Sequence, residues 1–303
     1  MACDLHLHST ASDGGFTPSQ VVEYASQIGL TCISLTDHDT FYGIPEAQKK
    51  ADELGMPFIP GIEMTSVYED VEIHILGYFA DCEEPSIKEA LIRGKETTSR
   101  RLTAIAEKLT ALGYPLTMDE VRSYAGVGSM GRPHVARAML ERGYVESIHE
   151  AFERFIGSDG IAYVPPLGNT PEEVYKLIRQ AGGISAIAHP GLVGRADMMQ
   201  ENEILTHREW GAMAIEAFHP RHDDYVSSFY CNLAQKYRMG IVGGSDCHGS
   251  YYPKIMMNRK AVPDWVAEKF RIFSEKYKKA STGGVRLTLG NTKGFANGNI
   301  LSK

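Results

Sequence analysis

Two histidines one residue apart close the first apolar run of the chain, Asp4-Leu5-His6-Leu7-His8. On a β-strand, side chains at i and i+2 leave the same face, so both imidazoles converge on one point. A metal ion is the commonest reason to aim two neutral imidazoles at one place, against the plainer reading of two polar residues at a strand end. The pattern then recurs. Asp13 follows in a loop with Gly14-Gly15, Thr36-Asp37-His38-Asp39 ends a second apolar run and Gly61-Ile62-Glu63 a third. His74 lies within a fourth beside Glu72, and Ala188-His189-Pro190 and Phe218-His219-Pro220 end two more. The last run ends in Gly244-Ser245-Asp246-Cys247-His248, where Asp246 and His248 repeat the i, i+2 spacing.

The elements that must position these groups are extended runs alternating with helical patterns. The strands are expected at Cys3–His8, Thr31–Asp37, Pro57–Glu63, Val71–Phe79, Ile184–His189, Ala212–Phe218 and Met239–Asp246. Thr17-Pro18 opens a helix running to Gly29, a second covers Ile44 to Gly55, and Thr170-Pro171-Glu172-Glu173 opens one that ends at Gly182-Gly183. Such alternation predicts a parallel α/β architecture. Residues 84–164 break the rhythm and read as helix throughout, with the capping box Thr117…Glu120, so they are expected to form a helical insertion between two barrel strands. Residues 281–303, rich in Gly, Asn and Ser, read as a tail, either flexible or an edge hairpin.

In a parallel α/β barrel, functional groups gather at the carboxyl ends of the strands, where the loops open around a shared axis. One buried histidine on a strand is ordinary, and His74 or His189 taken singly could be a satisfied core residue. Glu63 alone could serve a helix N-terminus, and Asp13 could be a turn residue before Gly14-Gly15. Burying all of them near one axis is costly unless a cation pairs with them. A mixed imidazole–carboxylate set suits Mn, Fe, Zn or Co better than Ca or an all-oxygen Mg site. Asp37 and Asp39 flank His38 as natural partners for its second ring nitrogen.

The run D-L-H-x-H-S-x-x-S-D-G, followed by L-T-D-H-D, G-I-E, H-I-L-G-Y, A-H-P and G-S-D-x-H, strongly resembles the polymerase-and-histidinol-phosphatase (PHP) superfamily of metal-dependent phosphoesterases. The resemblance covers residues 2 to about 260. It implies a distorted (β/α)7 TIM-like barrel formed by residues 1–83 and 165–280, with 84–164 capping its mouth. It also implies two or three divalent ions: His6, His8, Glu63 and Asp246 on one, Glu63 (bridging), His74 and His189 on a second, and Asp13, His38 and His248 on a third. All these positions are filled, although some branches carry histidine where Asp13 stands. Cations there would activate water for attack on an already anionic phosphate ester.

Within the insertion, Ser129-Met130-Gly131-Arg132-Pro133-His134 places Pro133 at a helix start, with Arg132 and His134 where an anion is favoured; a solvated helix entry is the alternative. The same G-R-P-H segment resembles the PHP branch of 3′,5′-nucleotide bisphosphate phosphatases, 5′-exoribonucleases and phosphoribosyl cyclic phosphate diesterases. In that branch the arginine and histidine contact substrate phosphate, and His222 falls in the corresponding substrate-facing loop. His219, Arg195, Arg221 and Lys254 are further candidates for substrate or supporting contacts, while His149 and His207 read as surface residues. Tyr251 and Tyr252 could stack on a base or pack in a loop.

Composition narrows the partners. A net charge of −7 argues against stable binding of duplex nucleic acid along a basic face, but not against hydrolysis of small or frayed nucleotides. The five scattered cysteines form no C-x-x-C pair and read as reduced cytosolic thiols. No apolar run is long enough to span a membrane, and polarity from Asp4 onward leaves no room for a signal peptide, so a cytoplasmic protein is expected. The favoured substrate is a 3′,5′-nucleotide bisphosphate or short RNA 5′ end. A phosphoribosyl 1,2-cyclic phosphate diesterase is the alternative, followed by a histidinol phosphate phosphatase or a non-catalytic metal-binding module.

Overall fold

The computed structural model describes residues 2–125, 128–192, 198–251, 255–258 and 262–282. Arg195, Tyr252, Lys254, the side chain of Tyr251 and the tail from residue 283 lie outside the described residues. The first half of the chain runs β1 (Ala2–Leu7), α1 (Pro18–Gln27), β2 (Leu30–Leu35), α2 (Ile44–Leu54), β3 (Phe58–Tyr68) and β4 (Val71–Tyr78). Next come α3 (Pro85–Ala111), α4 (Met118–Ala125), α5 (Arg132–Glu141) and α6 (Ile148–Ala151), which continues into a π-helical turn at Phe152–Ile156. The rest is α7 (Pro171–Gln180), β5 (Ile184–Ile187), α8 (Glu201–Trp210), β6 (Ala214–Phe218), α9 (Asp224–Tyr237), β7 (Gly240–Gly243), β8 (Val262–Pro263) and α10 (Asp264–Thr282).

The expected helix starts are formed by the residues that signalled them. Thr17 Oγ1 accepts from Gln20 N–H at 3.2 Å while Gln20 Oε1 accepts from Thr17 N–H at 2.9 Å. The Thr117/Glu120 and Thr170/Glu173 boxes satisfy their orphan N–H groups in the same reciprocal way.

The strands form one eight-stranded sheet in the order β7-β6-β5-β4-β3-β2-β1-β8. It curls until Leu7 bridges Cys247 in parallel and His8 N–H donates to the Cys247 carbonyl at 3.1 Å, nearly closing a barrel. Gly244 makes this closure possible: a Cβ there would lie 2.4 Å from the His6 backbone nitrogen.

Two expectations are corrected. The barrel is not wholly parallel, because β4 pairs antiparallel with both β3 and β5. The β3–β4 turn is made by Glu69 and Asp70, both at positive φ (49° and 62°), the signature of a tight hairpin that reverses the strand. An eighth strand, Val262–Pro263, also pairs antiparallel with the start of β1.

Buried apolar side chains fill the barrel interior (Leu5, Leu76, Ala186, Val242) and the layers between sheet and helices. The helices between β4 and α7 pack around an apolar centre of their own, including Leu102, Ile105, Leu109, Val135, Met139 and Phe155.

Candidate metal centre

The functional side chains are delivered by the strands and by the loops that follow them at one end of the barrel. His6 lies in β1 and His8 one residue beyond it, while His38 follows β2 and forms an isolated parallel bridge with Glu63 of β3. Because β4 runs backwards, its early residues lie at the same end of the barrel as the carboxyl ends of the other strands. That is why His74, opposite Thr65, reaches the centre from inside its strand. His189 follows β5, and Asp246 and His248 follow β7. Asp39, His189 and Asp246 have positive φ (51°, 26° and 52°), a costly conformation for non-glycine residues that concentrates where geometry serves function.

These strand ends bring the donors together. His6 Nε2 and His8 Nε2 each lie 3.1 Å from Glu63 Oε2, and His8 Nε2 lies 3.1 Å from Asp246 Oδ1. His74 Nδ1 and His189 Nε2 each sit 3.0 Å from Glu63 Oε1, and His38 Nδ1 sits 3.3 Å from Glu63 Oε2. Asp13 Oδ1 is 3.4 Å from His248 Nε2, and Asp13 Oδ2 is 3.8 Å from His38 Nε2.

Three groups have donor atoms close enough for one ion: His6/His8/Glu63/Asp246, His8/Asp13/His38/His248 and His38/Glu63/His74. The first matches the set implied by the family resemblance, and the second adds His8 to the implied Asp13/His38/His248. In the third, His38 stands where His189 was expected, although His189 touches the same Glu63 oxygen.

Buried polar atoms test whether cations fit here. His6 Nε2, His8 Nδ1 and Nε2, Glu63 Oε2 and Asp246 Oδ1 are all buried without a hydrogen-bond partner among the described residues. Native proteins leave only a few such groups per roughly 100 residues, so five such atoms gathered at one place call for a partner. Here lone pairs converge on shared points, and a hard or borderline divalent cation answers that arrangement.

The electrostatics agree. Burial pushes the Glu63 carboxyl toward neutrality, but His38, His6 and His74 outweigh it and hold the pKa well below the usual range. Burial likewise opposes charge on Asp13 and Asp246, and the surrounding imidazoles keep both well below the carboxylate norm. The same carboxylates act in return on the rings. Burial would depress His6, yet Glu63, Glu216 and Asp246 hold it well above its ordinary value. His74 is raised to about 9 by Glu63 against its own desolvation. His38 goes the other way, to about 4, because burial dominates. The site is a set of anions that accepts protons where it would otherwise accept metal.

Several supporting residues were not read from the sequence. Glu216, fully buried in β6, accepts from His6 Nδ1 at 3.0 Å and from the His189 N–H at 2.6 Å. It therefore turns the Nε2 lone pair of His6 toward the centre. Asp4 holds the N–H groups of His6 and Ser245. Asp37 and Asp39, expected beside His38, instead serve the loops: Asp37 accepts from Ser9 N–H (2.7 Å), Ser9 Oγ (2.8 Å) and Ser12 Oγ (2.7 Å), and Asp39 from Thr65 N–H (2.8 Å). His38 points past both toward Glu63 and Asp13, since Asp37 leaves the opposite face of the strand end and the left-handed turn at Asp39 (φ 51°) carries its carboxylate toward Thr65.

A cavity of about 290 Å³ lies over the centre, between Asp13, His74 and Asp246 below and Arg101, Arg132 and Phe152 of the helical segment above. Arg132 pairs with Glu72 and lies 5.5 Å over the Phe152 ring. His134 is fully engaged with backbone: Nδ1 accepts from the Gly131 N–H at 3.0 Å and Nε2 donates to the Ser12 carbonyl at 3.1 Å. His222 is similarly occupied, accepting from Gly191 N–H at 3.1 Å and donating to the Ala217 carbonyl at 3.2 Å. Contact of either ring with a phosphate requires one of those bonds to break. His219 accepts from Arg221 N–H and turns Nε2 toward Asp246 Oδ2, 3.7 Å away, and Arg221 lines the cavity. His207 is corrected: it is buried, bonded at 2.7 Å to the Tyr175 hydroxyl, whereas His149 is exposed. All five cysteines are free thiols, and among the described residues no helix is long and apolar enough to cross a membrane.

The geometry has counterparts in known proteins. A 5′-3′ exoribonuclease Rnm from Escherichia coli is 30% identical over 259 residues, 85% of this chain and 88% of the relative. A 3′,5′-nucleoside bisphosphate phosphatase from Chromobacterium violaceum is 30% identical over 247 residues, 81% and 86% of the two chains. A crystal structure from Bifidobacterium adolescentis, named as a metal-dependent phosphoesterase, superposes with a TM-score of 0.82 at 27% identity, covering 88% of this chain and 94% of that one. The PHP domain model matches residues 4–281. The chain belongs to the PHP domain family, and it is a metal-dependent phosphoesterase.

Proposed function

We propose that this protein hydrolyses a phosphate ester of a small nucleotide carrying a second phosphate, either a 3′,5′-nucleoside bisphosphate or the 5′ end of a short RNA. The observation that carries the reading is the pairing of two unlike surfaces across one cavity. Below lie the unsatisfied imidazole and carboxylate atoms, and above them the guanidinium of Arg132. A monophosphate ester needs only the lower surface, so a cationic upper wall has purpose where the substrate carries a further anion. The relatives named as an exoribonuclease and a bisphosphate phosphatase support the same substrate class. A cavity of about 290 Å³ suits one nucleotide or a frayed end, not a duplex.

His6, His8, Glu63 and Asp246 would hold one divalent ion, with Asp13, His38, His74, His189 and His248 completing sites for one or two more, of Mn, Fe or Zn character. Bound there, such ions polarise water and neutralise the charge that builds on the phosphoryl oxygens. The chain's own residues do the rest. Glu216 fixes the orientation of His6, Asp37 ties the Ser9–Ser12 loop beside Asp13, and Glu63 belongs to two of the three donor groups. Arg132 is the group we assign to the second phosphate. His134 and His222 serve it through the backbone they hold, at Ser12 and Gly191. The free thiols suit a reducing, cytoplasmic setting.

The test compares adenosine 3′,5′-bisphosphate with an aryl phosphate on Mn²⁺-loaded protein. The bisphosphate is expected to show the higher kcat/KM, and Arg132→Ala to raise KM for it far more than for the aryl ester. Equal effects on both substrates would remove Arg132 from the second-phosphate role, and no preference for the bisphosphate would overturn the substrate assignment.

A further inference from the structure

Asp13 stands further beyond its strand than any other donor of the metal centre, in the turn that follows β1. Its place therefore depends on what holds that turn. The Ser9 carbonyl accepts from the Ser12 N–H at 3.0 Å and the Gly14 N–H at 2.9 Å, which closes the turn around Asp13. Asp37 grips it from the barrel side, and Ser12 Oγ, bonded to Asp37, lies 3.2 Å from Asp13 Oδ1. The carbonyls of Ala11 and Ser12 are left to the helical segment.

That segment holds both. Ser129 N–H donates to the Ala11 carbonyl at 3.0 Å, and His134 Nε2 donates to the Ser12 carbonyl at 3.1 Å. Gly128 comes so close that a Cβ on it would fall 1.6 Å from the Ala11 oxygen, so only glycine fits there. His134 is prepared by its own helix start. As the third residue of α5 it reaches back, and its Nδ1 accepts from the Gly131 N–H at 3.0 Å, which leaves the proton on Nε2. The ring is 3% exposed, and a neutral imidazole with both nitrogens engaged acts as a strut. The segment it belongs to has an apolar centre of its own, built from residues 102–164. Besides the two carbonyls, polar ties run from it to Glu72 and, through the Tyr163 hydroxyl, to the Asp70 carbonyl at 3.3 Å.

We propose that His134, acting with the Gly128–Ser129 backbone, is a positioning residue for Asp13. Docking of the helical segment completes the His8/Asp13/His38/His248 group, and an ion bound by that group in turn holds the segment down, since coupling between two binding events is reciprocal. The inference rests on the ion sites of the proposed function and is independent of which phosphate ester is cleaved.

Ion content after stripping and reloading with Mn²⁺ tests it, read by elemental analysis on wild type, Asp13→Ala, His134→Leu and His134→Gln. Asp13→Ala and His134→Leu are each expected to hold about one ion fewer per chain than wild type. His134→Gln is expected to hold the full number. A glutamine at this helix position can accept from the N–H that precedes the helix, as Gln20 does in α1, and offer its NH₂ to the Ser12 carbonyl. Full ion content in His134→Leu or in Asp13→Ala would overturn the proposal, as would equal depletion of His134→Gln and His134→Leu. Less than one ion in wild type would sink the ion sites themselves and this inference with them, whereas a loaded wild type matched by His134→Leu sinks the inference alone. Hydrogen exchange supplies the reciprocal reading and needs no change in the segment. On Mn²⁺ loading the α5 amides are expected to slow about fivefold or more in wild type and less than about twofold in Asp13→Ala. Equal slowing in both proteins would show that the segment does not feel an ion at Asp13, and the coupling would be refuted.

Discussion

Glu216→Gln is the substitution that most sharply separates positioning from packing. The wild-type carboxylate is fully buried and uses both oxygens as acceptors, one for His6 Nδ1–H at 3.0 Å and one for the His189 N–H at 2.6 Å. Glutamine has the same shape but only one acceptor oxygen, so in either orientation an NH₂ faces one of those two donors. Leaving a buried donor unpaired costs about 1–3 kcal/mol. The protein without metal is therefore expected to unfold at lower urea by that amount. Losing the charged partner also weakens the drive that keeps His6 protonated on Nδ1 and its Nε2 lone pair facing Glu63 and Asp246. Partners of this kind are worth about 10–100-fold in metal affinity, equivalent to about 1.4–2.8 kcal/mol. Competition against a chromophoric chelator would read that loss directly. If Glu216→Gln lowers stability but leaves metal affinity within twofold of wild type, Glu216 is a packing residue and the orientation argument is wrong.

Other outcomes follow from the same structure. Metal affinity should rise steeply with pH, since cations must displace protons from rings that neighbouring carboxylates hold above their ordinary values, His74 at about 9. A chelator titration showing no change between pH 6 and 9 would contradict this. Burial drives His207 down to about 4 from 6.5. Its contribution to stability is therefore present above pH 6.5 and lost as the pH falls toward 4, by up to about 3 kcal/mol. His207→Gln, which can still bond the Tyr175 hydroxyl, should flatten the acid limb of a urea-stability profile; an unchanged slope would refute the assignment. Loss of Asp37 as an acceptor, in Asp37→Ala, should loosen the Ser9–Ser12 loop and lower metal stoichiometry at the Asp13 site by about one ion, read by elemental analysis. Full stoichiometry would remove Asp37 from that role.

The donors on the strand ends were legible because their signal is local. Two groups at i and i+2 on a strand share a face whatever the rest of the chain does, so His6/His8 and Asp246/His248 could be read without knowing the fold. The direction of β4 could not. Its turn is Glu69-Asp70, without the glycine that announces a hairpin, and only the positive φ angles of both residues reveal it. The two-residue β8 is too short to carry any alternation. Glu216 did leave a trace, a lone acid within Ala-Ile-Glu-Ala-Phe, where burial of a carboxylate demands a partner. Arg101 left none, because an arginine on a long helix reads as a solvated face until the tertiary fold buries it. Asp37 and Asp39 misled because adjacency in sequence is not adjacency in space: Asp37 leaves the face opposite His38, and a left-handed turn at Asp39 sends its carboxylate to Thr65.

The most direct measurement is the number of divalent ions held per chain after stripping and reloading, taken beside phosphate release from the same sample. Wild type is expected to hold two or three ions with phosphate release dependent on them, and Glu63→Gln to lose both because Glu63 touches His6, His8, His38, His74 and His189. Fewer than one ion per chain, or full phosphate release from Glu63→Gln, would contradict this expectation.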